Sequence, residues 1–132
     1  MGLALRLLLD THSLIWWSLD SLRLSRPGYA AIAEAVDQIF VSAVSAFEIA
    51  TKYTIGKLPE GAALAERFDD YAREQGFDLL PVTTVDAVRA GCLPLHHKDP
   101  FDRLLIAQAL NMGLTLVSNE TVFETYGAAR LW

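Results

Sequence analysis

Four short apolar runs punctuate the chain: "ALRLLL" over residues 4–9, "IFVS" over Ile39–Ser42, "FDLLPV" over 77–82 and "LTLVS" over 114–118. Between them lie segments whose apolar residues recur at helical spacing. Strands joined through helices pair in parallel by right-handed crossovers, and the helices then cover both faces of the sheet. The helical segments are 11–19, 26–38 with Pro27 in its first turn, 43–56 ending at Gly56, 60–75 closed by Gly76, 84–91 capped by Thr83 or Thr84, 101–112 ended by Gly113, and 119–126. "CLPLHHKDP" is irregular, and "ARLW" at the end supplies a possible edge strand. The pattern predicts an α/β fold of three layers, α/β/α, around a mainly parallel sheet of four or five strands.

No repeat, low-complexity tract or linker interrupts the 132 residues, so 1–132 is expected to form a single domain. One cysteine, Cys92, cannot form an internal disulfide, which gives a reducing cytoplasm as the default setting. Asp10 interrupts the first apolar run well before the length of a membrane span, so no membrane association is expected. The formal charge of −5, from 11 basic and 16 acidic residues, is the wrong sign for holding nucleic acid by bulk electrostatics. A nucleic-acid substrate would need local help, such as metal ions. The 52% hydrophobic content is high for a small monomer, and implies that some apolar surface meets another chain.

In sheets of this kind ligands bind at the carboxyl ends of the strands. Asp10 ends the first run, where it either caps the following helix or does chemistry. Glu48 follows the second strand, four positions before Lys52, so an i,i+4 ion pair on a solvated face explains it equally well. Asp99 precedes Pro100 and reads as a helix N-cap. Asp102 shares a helical face with Leu105, Ile106 and Ala109, and a carboxylate on that apolar stripe needs a partner. Glu120 comes just after the fourth strand. Like charges gathered at strand tips require a cation between them, and all-oxygen ligation suits Mg²⁺ or Mn²⁺.

Thr11 and Ser118 stand beside these acids, where each can hold a carboxylate in place or cap a helix. Arg103 reads as a solvated surface arginine sooner than a phosphate contact. His96 and His97 do not make a zinc site, being adjacent in a loop with one cysteine elsewhere. Trp16, Trp17 and Trp132 read as core or interface rather than base-stacking platforms.

The runs "LLLDTHSLIWW", "VSAVSAFEIATKYTIGKL", "HHKDPFDRLLIAQAL" and "LTLVSNETVF" resemble, in order and over nearly the whole chain, the four motif blocks of PIN-domain ribonucleases, and as a set those of VapC-type toxins of bacterial toxin-antitoxin pairs. The resemblance implies a PIN-like fold and Mg²⁺- or Mn²⁺-dependent endonucleolytic cleavage of RNA, leaving 5′-phosphate and 3′-hydroxyl ends. Asp10, Glu48 and Asp102 match the acidic positions that hold the metal, and all three are expected to be catalytic together with Glu120. Glu120 falls where the family has Asp or Asn, so its longer arm either binds through water or leaves the metal's ligand set. The resemblance further implies a homodimer and a small antitoxin with a basic or amphipathic segment. Two other classes remain: a binding module that keeps the fold without turnover, which Glu120 leaves open, and a metal-dependent phosphatase with Asp10 as nucleophile, against which His12 stands where haloacid-dehalogenase-type enzymes have a second Asp.

Overall fold

A computed structural model describes residues 5–34 and 38–132. The expected strand start at Ala4 and the 35–37 portion of the expected second helix lie outside the described residues. In chain order the elements are β1 Leu7–Leu9, α1 Thr11–Ser18, α2 Arg26–Ala33, β2 Ile39–Ser42, α3 Ala43–Thr54, a 3₁₀ turn Pro59–Gly61, α4 Ala62–Glu66, α5 Phe68–Glu74, β3 Asp78–Leu80, α6 Thr84–Cys92, α7 Pro100–Met112, β4 Thr115–Val117, a 3₁₀ turn Thr121–Tyr126 and β5 Arg130–Leu131. The sheet order is β3-β2-β1-β4-β5, and every pairing is parallel.

β1 is central, with Leu7 opposite both Ile39 and Thr115, and Leu9 opposite both Val41 and Val117. A strand buried on both faces reads as a continuous apolar run, which is why "LLL" shows no alternation. The period of two still sorts its side chains. Leu7 and Leu9 join Val41 and Val117 in a core with α1, α2, α4 and α5, whereas Leu8 joins Phe40 and Leu116 in a second core with α7 and the 3₁₀ turn Thr121–Tyr126. These two cores are the outer halves of the α/β/α sandwich.

The differences from the sequence reading have local causes. The segment 60–75 divides at Arg67, whose φ of −135° breaks the helix between α4 and α5. Leu64 and Ala72 are both buried; eight positions apart, they would stand about 80° apart around a straight helix, and the break lets both face the core. The expected helix over 119–126 is a 3₁₀ turn, closed by Gly127 at a φ of 79°. Among the described residues no helix is long and apolar enough to cross a membrane.

Candidate active site

Asp10 follows β1 directly and does two things. Its Oδ1 accepts a hydrogen bond from the Ser13 N–H at 2.9 Å, capping α1. It is also buried, at 2% exposure. Burial pushes its carboxyl above the ordinary range, against hydrogen bonds from Ser118 and Ser13 and the nearby His12, which pull downward. The Ser13 hydroxyl donates to the Val117 carbonyl at 2.8 Å and so ties the start of α1 to the tip of β4.

Asp102 arrives from the first turn of α7, on the stripe that buries Leu105, Ile106 and Ala109. Its carboxyl is raised to about 6: burial is the largest cause, the charges of Asp99 and Asp10 add to it, and the His97 side chain opposes the rise. His97 Nε2 lies 2.7 Å from Asp102 Oδ2. Asp10 thus stands near enough for its charge to act on Asp102, although one follows the central strand and the other comes from α7.

Glu48 sits on α3 with its carboxylate 3.1 Å from the Lys52 ammonium, the i,i+4 ion pair that its spacing allowed. The pair is not on a solvated face, for the Glu48 side chain is only 14% exposed. Glu120 lies just beyond β4, where its backbone N–H donates to the Ser118 hydroxyl at 3.0 Å. Among the described residues no three His, Cys, Asp or Glu side chains are arranged to share one metal ion. Asp10, buried, and Asp102, half-buried beside it, both raised, are the members of the set whose environment fits a hard cation.

Ser118 holds the Asp10 carboxylate by a hydrogen bond, as one of its two readings has it, but Thr11 and Arg103 behave differently from either reading offered for them. Thr11 does not cap a helix; its hydroxyl meets that of Ser45 at 3.0 Å and joins the starts of α1 and α3. Arg103 is neither solvated nor free to meet a phosphate. It is buried, and its guanidinium donates to the carbonyls of Ala90, Leu93, Pro94 and His97 at 2.7–3.0 Å. Those carbonyls belong to the end of α6 and the irregular loop after it, where a cation also meets the negative end of the helix dipole. The Tyr126 hydroxyl completes the clamp, accepting from the His97 N–H and donating to the Pro94 carbonyl. Arg103 and Tyr126 therefore fix the loop that presents His97 to Asp102.

Sequence reasoning passed over Ser13, Ser45 and this role of His97. Ser13 carried a signal, since the third residue after a cap donates to it. His97 lies five positions before Asp102 in an irregular loop, and no periodicity joins them.

A PIN domain family model matches residues 7–129. Ribonuclease VapC22 of Mycobacterium tuberculosis (strain ATCC 25618 / H37Rv) is 32% identical over 117 residues, which cover 86% of this chain and 85% of that protein. The crystal structure of VapBC2 from Rickettsia felis bound to a DNA fragment from their promoter gives a TM-score of 0.71 at 13% identity, over 96% of this chain and 97% of that one. FitAcB from Neisseria gonorrhoeae gives 0.69 at 18% identity, over 94% and 95%. At these identities the two structures speak to the fold alone. Matched along nearly its whole length by the family model, and by a VapC ribonuclease over most of both chains, the chain belongs to the PIN-domain family, among its VapC-type members.

Proposed function

We propose that this chain is a Mg²⁺- or Mn²⁺-dependent endoribonuclease, the toxin of a type II toxin-antitoxin pair, that hydrolyses RNA phosphodiesters to 5′-phosphate and 3′-hydroxyl ends. The observation that carries the proposal is the pairing of Asp10 with Asp102: two carboxylates from different elements, one buried and the other half-buried, both raised, with the charge of Asp10 acting on Asp102. Such a pair is stabilised by a cation that keeps several waters and bridges to substrate phosphate. Asp10 and Asp102 would hold it, with Glu48, whose carboxylate is paired with Lys52, as the third residue that would join them. Glu120, just beyond β4, would contribute a further carboxylate beside them.

When bound, the cation lowers the pKa of a water and neutralises charge on the transferring phosphoryl group. The protein's own contribution is placement. The Ser13 N–H fixes the Asp10 carboxylate, and His97 fixes that of Asp102, each within hydrogen-bond distance. The relatives named as a VapC ribonuclease and VapBC pairs support both the activity and an antitoxin partner. Exposed apolar side chains, among them Phe47, Val85, Val88 and Leu95, leave surface for that antitoxin and for a second copy of this chain.

Incubation with RNA in Mg²⁺ or Mn²⁺ should give endonucleolytic fragments with ligatable 5′-phosphates, and chelation should abolish them. Cleavage that survives chelation, or that leaves cyclic 2′,3′-phosphates, overturns the proposal. RNA binding without cleavage under any of these conditions makes the chain a binding module instead.

A further inference from the structure

Next to the acidic site, α1 and the C-terminal half of α3 border an open cleft of about 450 Å³. Its walls carry Arg23, Lys52 and Lys57 against one acid, Glu60. That local balance reverses the charge of a chain with 11 basic and 16 acidic residues. Lys52 is engaged by Glu48. Arg23 and Lys57 are exposed, and neither has an ion-pair partner among the described residues.

The same cleft holds an aromatic column. The exposed His12 ring stacks on Trp16 with centroids 5.5 Å apart and planes 27° apart. Trp16 is braced from behind, packed on the buried core and tilted against Trp132 at 5.8 Å. One face of His12 is covered by the tryptophan, leaving the other side of this exposed residue toward solvent. The cleft also adjoins the acids: His12 lies two residues beyond Asp10, and Lys52 is the ion-pair partner of Glu48.

Cations lacking internal partners beside an open aromatic face match a polymer that alternates anionic links with planar rings, which is single-stranded nucleic acid. A basic peptide would be repelled here, and an acidic one would leave the aromatic column unused. We propose that the cleft is the subsite that holds single-stranded RNA next to the scissile phosphate, with Arg23 and Lys57 on backbone phosphates and an unpaired base stacked on His12. The inference rests on the ribonuclease reading and adds to it the place where the strand lies. A bound divalent cation offsets charge only at the phosphate being cut, so the flanking phosphates of a strand approaching an acidic protein need cations of this kind.

The test uses the full chain and a short fluorescein-labelled single-stranded oligoribonucleotide. Binding is read by anisotropy in EDTA across a KCl series, and KM is read for cleavage in Mn²⁺. The double variant Arg23→Gln, Lys57→Gln should raise Kd about tenfold at low salt and flatten the slope of log Kd against log salt by about 1.4, the sum for two lost contacts to a single strand. KM should rise in step. His12→Ala should raise Kd at least about fivefold, and His12→Phe, which keeps a stacking face, should restore it. These positions are exposed, and unchanged thermal melts would show that the variants fold. If the wild type cuts RNA while the double variant keeps its Kd, salt slope and KM, the subsite is wrong and the ribonuclease reading stands. If the wild type neither binds nor cuts RNA in either metal, that reading falls and the subsite with it. Displacement of the RNA by poly-L-glutamate at equal charge would make the cleft a general anion surface and overturn the proposal.

Discussion

Asp86 and Asp102 occupy the same position in two helices that pack together, the third residue of α6 and of α7, and they do opposite things. Asp86 completes a capping box: its backbone N–H donates to Thr83 Oγ1 while its carboxylate accepts from the Thr83 N–H at 3.0 Å. Asn111 donates to its other oxygen at 2.8 Å. Burial pushes the Asp86 carboxyl up, yet the donors from Thr83 and Asn111 prevail and hold it below its usual range. In α7 only half of the box forms. The Asp102 N–H donates to Asp99 Oδ1, but the Asp102 carboxylate turns away to His97 and is raised to about 6. The caps explain the difference. Threonine offers a neutral hydroxyl beside the third residue, whereas Asp99 brings a second negative charge that repels the Asp102 carboxylate from the helix start. An acid that has all its donors serves structure; one kept short of them is set for a cation.

The largest test of that contrast is catalytic. Asp102→Asn should reduce RNA cleavage in Mg²⁺ or Mn²⁺ by on the order of a hundredfold or more, and Asp10→Asn should do the same. Asp86→Asn should leave cleavage near the wild-type rate. Equal losses at Asp86 and Asp102 would erase the distinction.

Stability should move in the reverse sense. Asp102 has a folded pKa above its ordinary value of 3.8, so its favourable contribution is complete below pH 3.8 and is lost as pH rises through about 6. The rise corresponds to at most about 3 kcal/mol, less for the solvent that reaches a side chain 24% exposed. Metal-free Asp102→Asn should therefore melt higher than the wild type at pH 8, by roughly 1–2 kcal/mol of stability, and lose most of the difference near pH 4. Asp86 behaves oppositely, because its depressed pKa gives stability that is present above pH 3.8 and lost as pH falls through the folded value. Asp86→Ala should cost about 1 kcal/mol at pH 7 through its half of the capping box. Thermal melts in EDTA across pH 4–8 read the sign at Asp102, and melts continued below pH 3.8 read the sign at Asp86.

Much of this is legible in the sequence alone. The strands were named by their apolar runs, and Asp10 and Asp102 by the conflict between a carboxylate and the apolar pattern around it. Asp99 was legible as a cap because proline follows it. The orientation of the Asp102 carboxylate was not, since the choice between the Asp99 N–H and His97 depends on a loop with no periodicity. Arg103 was misread for the same reason: the carbonyls that bury it come from the end of α6 and the loop behind it, contacts that a helix pattern does not encode. If the clamp holds His97 in place, Arg103→Lys should cost about 2 kcal/mol, as one ammonium cannot meet carbonyls that a planar guanidinium reaches together. Cleavage should fall with it, and restoring stability with a compensating ligand or osmolyte should not restore the rate.

The smallest and sharpest perturbation is at Asp99 itself. Asp99→Ala removes the acceptor for the Asp102 N–H, found at 3.0 Å, and should cost about 0.5–2 kcal/mol, the usual worth of an N-cap. Asp99→Thr is the more informative change. It keeps a capping oxygen, removes the charge that helps raise Asp102, and recreates at α7 the threonine-to-aspartate spacing that closes the box at α6. The variant's stability should lie within about 0.5 kcal/mol of wild type, because one capping residue replaces another. The Asp102 carboxylate then gains a second place to go, the N–H of residue 99, and every molecule that takes it withdraws a ligand from the acidic site. Divalent-cation affinity and cleavage should both fall in Asp99→Thr while the melt barely moves. Should Asp99→Thr bind the cation and cut RNA as the wild type does, the cap's charge is not what frees Asp102, and His97 alone must hold the carboxylate at the strand tips.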